Sequence, residues 1–193
     1  MAHRLRVPRH DLPAPIGAIM VEVAGDFGIT PAEVLEGTAI DEGALAAPDT
    51  RISLRDQTRM LENCLRRSGN PGFALHFGSR ISVAALGDLG YALMCCRNVQ
   101  ELMEVMGHYH RLISGSFRIA VESGRDTVSI RLLGGMLHDA VEPADCEIFF
   151  AAAAASLRRL CALSDDALGV TLAYADPGYG EAYRRLICAN VRF

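Results

Sequence analysis

FRIAVESGRDTVSIRL, running from Phe117 to Leu132, carries the change of period that decides the fold. Phe117, Ile119 and Val121 alternate with Arg118, Ala120 and Glu122. After the turn residues Ser123-Gly124-Arg125-Asp126, Val128, Ile130 and Leu132 alternate with Ser129 and Arg131. Alternation of period two, interrupted by Gly and Asp, predicts a β-hairpin with one apolar face. Two strands alone are marginal in water, so that face needs a cover. The segment Glu142 to Leu163 is the natural cover, with Ile148, Phe149, Phe150, Leu157, Leu160 and Cys161 around the run Ala151 to Ala155. Five small side chains let such a helix come close to the sheet. Val170, Leu172 and Tyr174 then predict a third strand, Tyr179 to Cys188 a final helix, and Ala189 to Phe193 a fourth strand.

Upstream of the hairpin the period is helical. Ile16, Ile19, Met20, Val23 and Phe27 recur at spacings of three and four, which predicts a helix from Pro15 to Phe27 closed by Gly28. Thr30-Pro31-Ala32-Glu33 reads as a capping box with proline in the first turn, opening a short helix to about Gly37. Thr38 to Thr50 reads as a connecting loop. Ser53 with Asp56 opens a helix to Arg67, with Met60, Leu61, Cys64 and Leu65 inward and Arg55, Arg59, Arg66 and Arg67 outward. That basic stripe, next to Asp56 and Glu62, reads as a solvated face. Asn70-Pro71 caps and starts a helix carrying Phe73, Ala74 and Phe77, and Ser82 opens the next, with Leu86, Leu89, Leu93 and Met94.

Gly87 and Gly90 lie inside that last pattern, where each costs about 1 kcal/mol relative to Ala. Either another element approaches the backbone closely there, the reading we prefer, or the helix is interrupted. Asn98 and Glu101 begin a further helix to about Ile113, on which Leu102, Met103, Val105, Met106, Tyr109 and Leu112 form an apolar face. The element order predicts an α+β domain: a helical N-terminal half, about 12–113, packed on a small, mostly antiparallel sheet with covering helices, about 114–193.

Composition bounds the function. With 193 residues and 50% hydrophobic content the chain can bury one sizeable core. Nineteen basic against 23 acidic residues give a net charge of −4, which offers phosphates no general attraction. No apolar run reaches the roughly 18 residues of a membrane span, and MAHRLRVPRHDLPAP lacks the apolar stretch of a signal peptide. A cytoplasmic address without membrane contact is expected.

Six cysteines (Cys64, Cys95, Cys96, Cys146, Cys161, Cys188) form no CxxC pair, so they read as reduced, small hydrophobes. Cys95 and Cys96 are neighbours about 100° apart on a helix, so at most one lies squarely on a buried stripe. GxSxG, HExxH, GxxxxGK and GxGxxG are absent, and no catalytic residue is assigned. His108 and His110, two apart, point to different sides of a helix and cannot share one ion; only a convergence of His108 with His138 and Asp139 would hold a metal. No metal and no cofactor is assigned. Arg111 beside Tyr109 offers a planar fork of donors to an effector. Tyr91, His108, Tyr109 and Arg111 are the predicted pocket or rim residues, and Met94, Met103, Met106 and Met136 could line an adaptable pocket.

The stretch Asn70 to Arg111 also resembles a known family. Asn70, Pro71, Gly78, Leu86, Gly87, Gly90, Tyr91, Leu93, Val99, Glu101, Leu102 and Tyr109 match, in order and spacing, the N-terminal, arabinose-binding-like effector domain of AraC-type bacterial transcription regulators. Ala47 to Pro71 and Tyr179 to Phe193 resemble flanking segments of that domain. The resemblance implies a single effector-sensing domain, 1–193, that binds a small metabolite and acts on DNA only through a C-terminal helix-turn-helix domain outside these residues. In many members it also contributes to self-association, so a homodimer stays open. "Arabinose-binding" is a label of the family; an amino acid, a fatty or aromatic acid and a sugar remain open as effector. Two other classes stand beside this one: a dimerisation module without ligand, and a cysteine-dependent enzyme or redox sensor. The second needs a thiol of depressed pKa beside an imidazole, for which no local signature exists.

Overall fold

Helix α1 (Ala14–Asp26) forms where the spacing predicts it, with Ile16, Met20 and Val23 buried. The computed structural model describes residues 12–47, 50–113, 116–134 and 142–193. His138, Asp139 and Met136 lie outside the described residues. The predicted capping box opens α2 (Pro31–Leu35): the Thr30 N–H donates to Glu33 Oε2 at 2.9 Å, and the Glu33 N–H donates to the Thr30 hydroxyl at 3.4 Å. The expected loop 38–50 contains a short helix, α3 (Glu42–Ala46), capped by Asp41, whose carboxylate accepts from the Ala44 N–H at 2.8 Å. Five residues are too few to show a period, so only the cap could have announced it.

Helix α4 (Leu54–Ser68) starts at Ser53, whose hydroxyl accepts from the Asp56 N–H at 3.1 Å. Its arginines are paired along a solvated face, Arg59 with Glu62 at 3.1 Å and Arg67 with Glu33 at 2.9 Å. Asn63, one turn from both Arg59 and Arg67, is buried. Its amide donates to the carbonyls of Val34 at 3.0 Å and Glu36 at 2.8 Å, and accepts from Arg66 at 2.8 Å, which satisfies the open end of α2. Helix α5 (Phe73–Arg80) starts later than Asn70-Pro71, because Asn70 Oδ1 accepts from the Gly72 N–H at 2.9 Å and holds the chain in a turn.

The pattern expected as one helix from Ser82 is broken in two. A 3₁₀ turn (Val83–Leu86) ends at Gly87, with φ 62° and ψ −134°, and α6 (Asp88–Met94) follows. Only glycine enters that region without strain. Gly90 answers to the other reading, since a Cβ there would lie 1.9 Å from the Val83 carbonyl oxygen. Interruption and close approach therefore both occur, one at each glycine. Helix α7 (Val99–Tyr109), capped by Asn98 at 2.9 Å from the Glu101 N–H, buries Leu102 and Met103 and then tightens into a 3₁₀ turn (His110–Leu112). That change of winding turns Tyr109 and Leu112 out to solvent, contrary to the expected apolar face.

Among the described residues the strands form three two-stranded ladders. β1 (Leu12–Pro13) and β2 (Arg51–Ile52) are antiparallel. So are β3 (Phe117–Ser123) and β4 (Val128–Gly134), the predicted hairpin, with Ile119 opposite Leu132 and Val121 opposite Ile130. β5 (Gly169–Thr171) and β6 (Asn190–Arg192) are parallel, because α9 (Gly180–Leu186) crosses between them. The α+β class holds, with two of the three ladders antiparallel.

Helix α8 (Pro143–Cys161) packs chiefly on α5, and the hairpin is covered chiefly by α7. Val121, Val128 and Ile130 meet Leu102, Met103, Val105 and Met106, with α8 adding Leu157 and Cys161. The small side chains of α8 serve the contact between helices: a Cβ on Gly78 would lie 2.5 Å from the Ile148 carbonyl oxygen and 3.0 Å from Ala151 Cβ. α8 joins all three apolar clusters, through Ile148 and Ala152, through Cys146, Ala151 and Ala154, and through Leu157.

Candidate functional site: a cavity along α8

Three and four residues apart, Asp145, Ile148, Phe149, Ala152, Ala153, Ser156 and Leu160 form one face of α8 and one wall of a cavity of about 120 Å³. Phe77 of α5, Ile81 and Ser82 just after it, Val83 and Leu86 of the 3₁₀ turn and Leu93 of α6 form the wall across from it. Leu102, Met103 and Met106 of α7 close one side with His110, Ile113 and Phe117; Leu12, Ile16 and Gln57 complete the lining. The residues that set its shape are small, Ala152, Ala153 and Ser156, facing large apolar ones. Such a pairing leaves room that neither side fills.

His110 is 4% exposed and pins the end of α7 to the hairpin. Its Nε2 lies 3.1 Å from the Phe117 carbonyl oxygen and its Nδ1 3.1 Å from that of Gly107, and the ring stacks on Phe117 at 6°. Both nitrogens thus face backbone carbonyls, and the one that carries the proton donates. Phe117 in turn meets Phe149 edge to face at 5.5 Å, joining hairpin to α8.

The opposite face of α8 holds a polar knot. Glu147, 2% exposed, accepts from the Tyr179 hydroxyl at 2.7 Å and from the Tyr183 hydroxyl, and Tyr183 bonds the Tyr174 hydroxyl at 3.1 Å. Burial pushes the Glu147 carboxyl above its ordinary value, the two tyrosine donors opposing in part. Burial likewise raises Tyr183, with Glu147 adding to it, and pushes Tyr174 up to about 12. Phe193 packs edge to face on Tyr183 at 5.1 Å, so the knot reaches the residues after β6.

The predicted site residues stand apart from the cavity lining. Tyr91 is 66% and Tyr109 54% exposed; His108 and Arg111 are exposed as well. The His108 and Tyr109 rings are 6.2 Å apart. His108 Nδ1 lies 2.9 Å from the Glu104 carbonyl oxygen, and His108 borders a shallow groove between α7 and β3. Met103 and Met106 line the cavity, whereas Met94 is exposed. Sequence reasoning missed His110, Ser156 and the alanines as lining; for Ala152, Ala153 and Ser156 the signal was a block of small residues between Phe149 and Leu160 on one face of α8. Burial pushes Cys64 up to about 12 and Cys146 up to about 11, and raises Cys96 and Cys188. Among the described residues no three of His, Cys, Asp or Glu are grouped to hold a metal ion, and no helix is long and apolar enough to cross a membrane.

The model of the arabinose-binding domain of AraC transcription regulators, N-terminal, matches residues 28–193. The chain belongs to that family. This AraC-type domain is also similar to uncharacterized HTH-type transcriptional regulators of Mycobacterium tuberculosis and Mycobacterium bovis, each 29% identical over 133 residues, covering 68% of the chain and 37% of the relative. The ornithine utilization regulator of Pseudomonas aeruginosa is 21% identical over 116 residues, covering 59% of the chain and 34% of its own length. The AraC-type domain thus spans about a third of the length of these curated relatives.

Proposed function

We propose that this AraC-type domain is the ligand-sensing part of a transcription regulator, with the cavity along α8 as its effector site and single-domain behaviour over 1–193. The observation that carries the reading is the double role of α8: one face walls the cavity, and the other bonds through Glu147 to the tyrosines that pack on Phe193. Arg158 of α8 also donates to the Ile187 carbonyl at the end of α9. An effector that favours one setting of α8 over another shifts the population of the C-terminal ladder, and with it the placement of helix-turn-helix modules elsewhere in the regulator. DNA is reached through those modules, in keeping with the net charge of −4.

The raised thiols Cys64, Cys96, Cys146 and Cys188 support this reading over a cysteine enzyme or redox sensor, which requires a depressed one. A thermal-shift screen of metabolites tests the proposal. Compounds that raise the melting temperature of the wild-type chain, and no longer do so with Ala153→Leu, support it; a broad panel without a single hit overturns it.

A second reading, self-association without ligand, is favoured by the exposure of Tyr91 and Met94 on α6, of Tyr109 at the end of α7 and of Leu112 just beyond it. On that reading Tyr91, His108, Tyr109 and Arg111 belong to a contact surface and not to a pocket rim. Sedimentation of the wild type against Tyr91→Glu and Leu112→Glu distinguishes the two, a dimer that dissociates in both variants being the result for self-association.

A further inference from the structure

We infer that the effector of this cavity is a compact, uncharged, mainly apolar molecule, about one aromatic ring in size with one or two polar groups, and neither a sugar nor a carboxylate. The inference rests on reading the cavity as the effector site, and three properties of the wall carry it.

The first is size. Apolar cavities of about 150 Å³ bind benzene, and this one measures about 120 Å³. A single ring or a branched aliphatic of similar bulk fits it, and Met103 and Met106 can adapt to either shape.

The second is charge. Among the described residues no arginine lines the cavity, and the sequence contains no lysine. A buried carboxylate is bound well by the forked donors of arginine, whereas here the one acidic wall residue, Asp145, carries the same sign as such a ligand. Among the described residues of the wall an anion meets no such fork.

The third is hydrogen-bonding capacity. His110 turns both ring nitrogens toward backbone carbonyls, those of Gly107 and Phe117, and so away from a guest. Gln57, Ser82 and Ser156 are then the uncharged polar side chains on the wall, against many apolar ones. They can serve one or two polar atoms of a guest. A pentose presents hydroxyls on every side, and each one buried without a partner lowers affinity roughly tenfold to a hundredfold. The family's label is therefore a poor guide to the ligand of this member.

Phenol, a single uncharged ring with one hydroxyl, is the probe. Titrated into the purified 193-residue chain in a calorimeter, it should bind and saturate at one equivalent, and benzyl alcohol should displace it. Benzoate and arabinose at the same concentration should leave it bound. Ala153→Leu, which fills the cavity from α8, should weaken phenol binding at least tenfold, and Ser156→Leu fills the same wall independently should the first variant fail to fold. Displacement by benzoate or arabinose in preference to benzyl alcohol would overturn the ligand class while leaving the cavity as the effector site. Phenol binding unchanged in both filled variants would overturn the cavity itself, and no binding of any of the four compounds would overturn both.

Discussion

Removing the amide of Asn63 strips partners from two carbonyls at once. Val34 and Glu36 accept from it at 3.0 and 2.8 Å, and Asn63→Leu leaves the buried Val34 carbonyl and the partly buried Glu36 carbonyl without that donor. A loss of about 2 to 4 kcal/mol is expected, measured as a lowered midpoint in urea with an unchanged slope. Glu147 makes a prediction of different sign. Its carboxyl is raised by burial, so the folded state holds the proton more tightly than the unfolded chain. The stabilisation it gives is complete below the ordinary value of 4.5 and is lost as pH rises through the raised one. Glu147→Gln keeps an oxygen for the Tyr179 and Tyr183 hydroxyls and removes the titration. The stability of the variant relative to wild type should therefore rise with pH above that ordinary value, and a difference that is flat or falls in thermal melts across pH would contradict it. Legibility at this scale follows distance along the chain. The caps at Thr30, Ser53 and Asn98 were readable because donor and acceptor lie three residues apart. The partners of Glu147 lie 32 and 36 residues away, beyond any local pattern. His108 and His110 could not be ranked from the sequence, because which of them turns inward depends on where α7 gives way to a 3₁₀ turn.

At the scale of elements, the hairpin was legible as two alternating strands and their faces, but not to the residue pair: Ser123, expected in the turn, pairs with Val128. What lies on those faces was not legible. The alanine run promised close approach to the sheet, yet the close approach is between α8 and α5 at Gly78. Small residues announce proximity without naming the partner. Gly78→Ala sets a methyl group against the Ile148 carbonyl and should cost about 1 to 3 kcal/mol by overpacking. Chemical denaturation measures it, and a neutral or stabilised Gly78→Ala, the usual outcome of replacing an exposed helical glycine, would show that the two helices do not meet as described. Gly87 and Gly90 were conspicuous in the sequence because helical patterns seldom contain two glycines. Their separate reasons, a backbone angle for one and a carbonyl contact for the other, are visible only in three dimensions.

Across the whole molecule, the helical first half and the mixed second half were readable from the change of period near Ser114, and the space between them was not. A void arises from side chains of several elements failing to meet, which no single stretch of sequence encodes. A ligand present at a hundred times its Kd should add about 2.7 kcal/mol, which for a domain of this size is a rise of roughly 5 to 11 °C in Tm. The expectation is that this rise appears with an effector of the inferred class and vanishes in Ala153→Leu; an equal rise in both proteins would place the ligand elsewhere.

The double-faced α8 has a mechanical corollary. A rigid rod in contact with close-packed side chains along its length has nowhere to yield, since protein interiors compress little. A guest slightly too bulky for the space beside Ala153 and Ser156 would be felt on the far side of the rod, at the hydroxyls of Tyr179 and Tyr183, before the rod itself bent. Selectivity for guest volume and steadiness of the tyrosine cradle are then one property, and substitutions that soften either should loosen the other.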